Sequence, residues 1–233
     1  MMKASSVVPY TSAPSPDEFL KVFRCASDQA QSILCLTVGS KFSSTFNSAN
    51  VAAKIIKESQ KQLDIVIVDT KSAAGGEGLI ALEALRATKQ SKGLKEVESA
   101  VKKIMGQVKV LAFVDTLYYL WKGGRVSYLS HVGTSMLKIK PIFELSQGQI
   151  HSLARPRTQN NAMSCLFNLV RENVGRGRIH AVVMHADALN AAEELKIRIE
   201  SEFVCEELFI SEFSPVMGTH TGPGLVGIAF WSE

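Results

Sequence analysis

One imidazole near the C-terminus sits in an unusual setting. Gly218-Thr219-His220-Thr221-Gly222-Pro223-Gly224 places His220 among three glycines, two threonines and a proline, just ahead of the apolar run Leu225–Trp231. Glycines let backbone approach a ligand closely and tolerate positive φ. The stretch reads as a glycine turn that holds the ring just before a buried strand. An imidazole held this way can donate to or accept from a bound group. A turn that leaves the ring in water is the plainer reading of the same residues.

Other catalytic patterns are missing from the chain. There is no Gly-x-Ser-x-Gly elbow for an activated serine. There is no Walker loop, and no Gly-x-Gly-x-x-Gly after a strand. Gly75-Gly76-Glu77-Gly78 follows a strand but lacks the Lys and Ser/Thr of a phosphate loop. His131, His151, His180, His185 and His220 are scattered, so no metal set stands out. Asp69 ends an apolar run in Val68-Asp69-Thr70-Lys71-Ser72, where a catalytic carboxylate could stand, but it reads as a brace for its loop.

The elements that position these residues are legible in outline. Ser15-Pro16-Asp17-Glu18 opens a helix running to about Ala30: Ser caps, Pro takes the first turn and acids follow. Ile33–Val38 reads as a strand, Ser44–Gln60 as an amphipathic helix and Leu63–Val68 as a second strand. Glu77–Thr88 and Leu94–Met105 read as helices and Val108–Val114 as a third strand. Alternating strands and helices imply a mainly parallel, Rossmann-like sheet. After Gly123-Gly124 the texture changes. Lys138–Leu145 and Gln149–Ala154 form a hairpin through Ser146-Gln147-Gly148. Thr158–Asn173 is helix, Ala181–His185 strand, Ala188–Glu202 helix, and Glu206–Ser211 and Leu225–Trp231 strands. The expectation is an α/β protein of two lobes, residues 1–126 and 127–233, the second with a mixed sheet flanked by helices.

With 233 residues, 46% hydrophobic and 21% charged, the chain has the composition of an ordinary globular protein. Cys25, Cys35, Cys165 and Cys205 form no Cys-x-x-Cys pair and read as core thiols of a reducing compartment. No apolar run approaches 18 residues and the first residues lack a signal core, so the expected location is cytoplasmic. The formal charge of +4 hides an asymmetry. Lys122–Arg178 holds nine basic residues against Glu144 and Glu172, and Asp187–Glu233 holds nine acids against Lys196 and Arg198. The basic residues are dispersed and no aromatic stacking series accompanies them, so nucleic acid is not the expected partner.

Five stretches carry a resemblance when taken in order. They are Thr11-Ser12-Ala13-Pro14-Ser15-Pro16-Asp17-Glu18-Phe19, Gly39-Ser40-Lys41-Phe42-Ser43-Ser44-Thr45-Phe46-Asn47-Ser48-Ala49, Asp115–Ser127 with its Lys122-Gly123-Gly124-Arg125, Leu137–Ile142, and the His220 heptapeptide. In this order and spacing the chain resembles the DegV family of bacterial fatty-acid-binding proteins, from about Thr11 to its end. The resemblance implies a long-chain fatty acid held in a cavity between the lobes, its carboxylate bound by Thr11, Ser43 and His220. It implies an acyl-carrying subunit, not an enzyme in its own right, that presents the carboxylate to a separate fatty-acid kinase bringing the nucleotide. No cofactor beyond the bound acid is implied. Arg125 and Arg157 become a basic surface facing the kinase, with transient contact to an anionic membrane surface. Read without the resemblance, Thr11 is a turn hydroxyl, Ser43 a helix cap, and the two arginines are solvated. Two other functions remain open at this point: a small hydrolase of acyl esters using Ser43 and His220, and a binding module for something other than lipid.

The chain departs from the family pattern at Gly39, where Ser is common, and at Ser44, where Gly is usual. Relatives of this type also carry an N-terminal strand, an Asp-Ser-Thr-type turn and a helix ahead of the Thr-Ser motif. Met1–Ser6 reads as the last turn of a helix, so the first lobe is expected to lack a sheet strand and to leave an exposed edge.

Overall fold

The computed structural model describes residues 9–90, 93–124, 139–175 and 177–233. The elements follow one another as α1 (Pro16–Ser27), β1 (Ser32–Thr37), α2 (Thr45–Ser59), β2 (Asp64–Asp69), α3 (Gly75–Lys89) and α4 (Leu94–Met105). Then come β3 (Lys109–Phe113), α5 (Tyr118–Gly123), β4 (Ile142–Ser146), β5 (Gln149–Ala154) and α6 (Gln159–Val174). The chain ends with β6 (Ile179–His185), α7 (Leu189–Glu202), β7 (Cys205–Glu212), α8 (Pro215–Thr221) and β8 (Val226–Ser232). The cut expected at 126–127 lies outside the described residues.

The capping signal at α1 works as its residues suggest. The Ser15 hydroxyl accepts from the Glu18 N–H, and the Glu18 carboxylate accepts from the Ser15 N–H at 2.7 Å. That backbone bond, with the Ser15 hydroxyl, holds the Glu18 carboxyl below its usual range.

β1 and β2 pair in parallel, Ser32 opposite Asp64 and Thr37 opposite Asp69. Both faces of this small sheet are covered. Ile33, Cys35, Ile65 and Ile67 pack with Leu20 and Phe23 of α1 and with Ala49, Ala52 and Ile56 of α2. Leu34, Leu36, Val66 and Val68 pack with Ile80, Ala84 and Ala87 of α3 and with Val97, Val101 and Ile104 of α4. A strand covered on both faces reads as a continuous apolar run, which is why both were legible.

The larger sheet has the order β5-β4-β3-β8-β6-β7. Only β6 and β7 run parallel; the other neighbours are antiparallel. One face carries α6 and α7 over Leu111, Phe113, Val183, Ile228 and Phe230. Here the reading of β3 needs correction. It does not extend the first parallel sheet but pairs antiparallel with β4 and β8. An apolar pattern identifies a buried strand without naming its partner. β8, buried from Val226 to Phe230, offers β3 a full-length neighbour.

α3 joins the two sheets. Ile80, Ala84 and Ala87 face the small sheet, while Leu79 packs with Val110, Val182, Met184 and Ala229 of the large one. Its first two residues have no room for side chains. A Cβ at Gly75 would lie 2.4 Å from Val182 Cγ1, and one at Gly76 2.2 Å from Ser72 Oγ. The Gly75 N–H donates to the Met184 thioether sulfur at 3.0 Å. Gly75-Gly76 is thus a packing device, in keeping with its failure to match a phosphate loop.

The thiols do not all lie inside. Cys25 is exposed, a correction to the expectation of four core thiols, and the other three are half-buried. Cys25 lies on the solvent side of amphipathic α1, beside exposed Arg24. Burial, reinforced by the charge of Glu77, pushes the Cys35 thiol up to about 11. Burial also raises the Glu77 carboxyl.

Two outcomes follow from this packing. Gly75→Ala should cost about 1–3 kcal/mol by overpacking. Gly78→Ala, whose Cβ meets open space, should gain up to about 1 kcal/mol from helix propensity. Urea unfolding of both variants decides, and equal stabilities would remove the packing argument. Glu77 holds its proton more tightly folded than unfolded, so its burial lowers stability as pH rises through the window above its ordinary value. Glu77→Gln should therefore stabilise the protein at pH 7 relative to wild type, with the gain vanishing near pH 4. A gain that is the same at both pH values would show that charge burial is not the cause.

Candidate functional site

The His220 stretch is not a glycine turn. Pro215–Thr221 forms the short helix α8, and His220 sits in its last turn. The Ser214 hydroxyl accepts from the Met217 N–H at 3.5 Å, and Pro215 occupies the first turn. The Thr219 and Thr221 hydroxyls donate to the carbonyls of Pro215 and Met217 at 2.8 and 3.1 Å. Gly222 (φ 74°) and Gly224 (φ 90°) take the positive-φ positions after the helix. The Ser-Pro start and the glycine stop were present in the sequence as signals, but the density of glycines masked them.

His220 is half-buried, and its Nε2 lies 2.8 Å from Thr11 Oγ1. Thr11 belongs to the extended segment before α1. The contact therefore brings together two of the three expected head-group residues from opposite ends of the chain. It also links the segment before α1 to α8.

Ser43 occupies the loop between β1 and α2. Its hydroxyl lies 2.7 Å from Thr45 Oγ1 and accepts from the Thr45 N–H at 3.3 Å. The N-cap position of α2 is Ser44, whose side chain makes no capping bond, and the first turn contains no acid. An uncapped helix start of this kind favours an anion. Ser43 thus satisfies one helix N–H without being the cap.

The neighbouring loops are tied firmly. Asp69 accepts from the Ser40 N–H (3.0 Å), the Ser40 hydroxyl (2.5 Å) and the Lys71 N–H (3.0 Å), which makes it the brace expected. Buried Thr70 donates its hydroxyl to the Thr37 carbonyl at 2.8 Å. The Gly39 N–H donates to the Ser72 carbonyl at 2.8 Å. The β4–β5 turn closes on the same loops through a Gly148 N–H to Lys71 carbonyl bond of 2.8 Å.

Sequence reasoning missed α5, which packs on α8 and brings Tyr119 and Gly123 to the site. Its six residues are too few for a helical period to show. Arg157 is exposed in the loop between β5 and α6. Arg125 lies outside the described residues. Lys140 pairs with Asp115.

His180 and His185 make contacts elsewhere. His180 stacks on Trp231 with ring centroids 4.0 Å apart and lies 3.1 Å from Glu207. His185 accepts from the Ala188 N–H at 3.4 Å. Among the described residues no group of three or more His, Cys, Asp or Glu side chains is placed to hold a metal ion. A cleft of about 530 Å³ lies between β2, the end of α4 and the β4–β5 turn. Its walls include Ile67, Val68, Met105, Val108 and Leu145. A second, of about 860 Å³, opens at the ends of β6 and β7 around His185, Asp187 and Glu212. Thr11, Ser43 and His220 line neither cleft.

Comparison with known proteins gives a consistent result. The family model described as an uncharacterised protein of the DegV family matches residues 1–233. A DegV domain-containing protein of Clostridium acetobutylicum is 30% identical over 227 residues, covering 97% of this chain and 79% of that protein. Among solved structures, a fatty-acid-binding DegV family protein from Thermus thermophilus is 29% identical with a TM-score of 0.90, covering 100% of this chain and 82% of that one. The fatty acid kinase (Fak) B3 protein of Streptococcus pneumoniae, solved loaded with linoleic acid, has a TM-score of 0.89 at 22% identity, over 100% of this chain and 81% of that one. At that identity the likeness is one of fold.

Proposed function

The chain belongs to the DegV family, and on that premise we propose that it binds a long-chain fatty acid in a cavity between its lobes and presents the carboxylate to a separate kinase. The observation that carries this reading is the 2.8 Å contact between Thr11 Oγ1 and His220 Nε2. A fold that brings a hydroxyl and an imidazole together from opposite ends of the chain has the donors a carboxylate needs where it leaves water. Ser43 and the open start of α2 add hydroxyl and N–H donors on the small-sheet side. The fatty-acid-binding relative from Thermus thermophilus supports the same ligand class.

The division of labour follows from the energetics. Each buried CH₂ contributes about 0.8 kcal/mol, so the acyl chain supplies most of the affinity. The head group then sets geometry. The kinase brings nucleotide, a carboxylate oxygen attacks the terminal phosphoryl group, and the nucleoside diphosphate leaves. This chain's part is to hold the carboxylate in line. The Ser43 hydroxyl is turned to Thr45, and His220 Nε2 to Thr11, which favours head-group capture over a Ser–His nucleophile pair. In this reading exposed Arg157 and the family-matched Arg125 would serve a basic face toward the kinase and toward anionic lipid. Among the described residues no helix is long and apolar enough to cross a membrane. The reading places the work in the cytoplasm.

The direct test is mass spectrometry of lipid extracted from the purified protein. The expected result is a saturated or monounsaturated long-chain fatty acid at about one molecule per chain. Lipid-free protein that also fails to take up added fatty acid overturns the proposal, and turnover of acyl esters lost in Ser43→Ala would put hydrolysis in its place. For the basic face, Arg157→Glu combined with Arg125→Glu should leave fatty-acid binding intact. It should slow transfer through the kinase roughly tenfold at low salt, with wild-type transfer falling as salt rises. Unchanged transfer in the double variant would return both arginines to the solvated surface.

A further inference from the structure

Across the contact between α5 and α8, glycine meets an aromatic ring twice. A Cβ placed on Gly123, at the end of α5, would lie 2.7 Å from Nδ1 of His220. A Cβ placed on Gly222, just after α8, would lie 2.0 Å from Cδ2 and 2.6 Å from Cε2 of Tyr119. Such distances are below ordinary van der Waals contact, so neither ring could stay where it is beside a side chain. The two contacts are reciprocal. α5 offers a bare Cα to the ring of α8, and the residue after α8 offers a bare Cα to the ring of α5.

We infer that Gly123 and Tyr119 are positioning residues for His220; this rests on the head-group reading above and deepens it. The imidazole has two nitrogen edges. The Nδ1 edge lies against the Cα of Gly123, and the Nε2 edge lies 2.8 Å from Thr11 Oγ1. A ring seated this way cannot slide toward α5, so its Nε2 edge stays aimed at Thr11. The Tyr119 ring, lying over Gly222, fixes the end of α8 that carries His220. Gly222 adopts φ 74°, a conformation glycine reaches without strain. The chain turns away at Gly124, which caps α5 in the left-handed conformation (φ 64°) with its N–H donating to the Trp121 carbonyl at 3.2 Å. In Lys122-Gly123-Gly124 the two glycines therefore do different work: the first receives the ring and the second ends the helix.

The edge-on contact between Tyr118 and Tyr119, with centroids 5.3 Å apart, supports the clasp from the solvent side. Thr219 and Thr221 flank His220 and are buried, their hydroxyls committed to α8 carbonyls. The imidazole is thus the polar group that α8 sends toward Thr11.

The test compares Gly123→Ala, Tyr119→Leu, Tyr119→Phe and, as a control far from the site, Gly78→Ala, all in the full chain. Fatty-acid capture is measured by titration. The state of the ring is read from long-range ¹H–¹⁵N spectra of the His220 nitrogens, assigned by their loss in His220→Gln. Gly123→Ala and Tyr119→Leu should weaken capture about tenfold, the scale of one misplaced hydrogen bond to a charged group. Both should shift the His220 nitrogen signals. Tyr119→Phe keeps the ring and should match wild type in both readouts. Because Gly123→Ala adds bulk and Tyr119→Leu removes a ring, a folding failure of one leaves the other to decide. Unmoved His220 signals and unchanged capture in either folded variant would overturn the inference. So would a Tyr119→Phe loss equal to that of Tyr119→Leu. If wild-type protein captures no fatty acid, the head-group reading fails, while the nitrogen signals still judge the positioning of His220.

Discussion

The structure depends on one helix serving two sheets. A helix that packs on a single sheet needs one apolar stripe, but α3 must present apolar surface in two directions. Leu79 goes to the large sheet and Ile80, one residue on, to the small one. This works only if the axis of α3 comes close to both. Gly75 and Gly76 allow that approach at its first turn, where the backbone lies against Val182, Met184 and Val110. Ala74, with φ 52°, feeds the chain into this turn from a loop that also holds Lys71 at φ 53°. Two non-glycine residues in the left-handed region within one short loop store strain, which the burial of α3 offsets. The same loop carries the carbonyl of Lys71, on which the β4–β5 turn closes.

The relation between the sheets matters because the candidate site spans them. Thr11 precedes α1. His220 is carried by α8, which follows β7 and precedes β8 in the chain and packs on α5. Ser43 follows β1. The three residues lie on three separate segments of the chain, two of them joined by the Thr11–His220 contact. A ligand held here would be held by both halves of the fold. A change that shifts one sheet against the other would reach the head group without touching it.

How far the sequence reveals this differs from element to element. The capping box of α1, the apolar runs of β1 and β2 and the period of α4 are local patterns with local causes, and the structure has them where the residues point. β3 is different. Its apolar pattern marks a buried strand, but partner choice depends on β8, more than 100 residues away. α5 and α8 are too short to show a helical period. In α8 the helix former is tertiary support, with a Ser-Pro start that outweighs an unfavourable run of Gly and Thr. Residue types at the site were legible, but contacts were not. His220 and Thr11 were identifiable as candidates, whereas Gly123 and Tyr119 acquire meaning only once α5 is laid against α8.

The departures at Gly39 and Ser44 can now be weighed physically. A Cβ at Gly39 would lie 3.1 Å from the Phe42 ring and 3.2 Å from the Lys71 carbonyl carbon. A serine there would need the Phe42 ring to give way by a few tenths of an ångström, since the Gly39 N–H is bonded to the Ser72 carbonyl. Glycine at 39 therefore belongs with Phe42 at this corner. At Ser44 the added side chain makes no capping bond, so it does not close the start of α2. The hydroxyl that reaches a helix N–H is that of Ser43, through Thr45. An incoming carboxylate would accept from these same groups, exchanging the Ser43–Thr45 contact for charge-assisted bonds roughly twice as strong as neutral ones. On the proposed reading the loop would trade a neutral contact for bonds to a charged group.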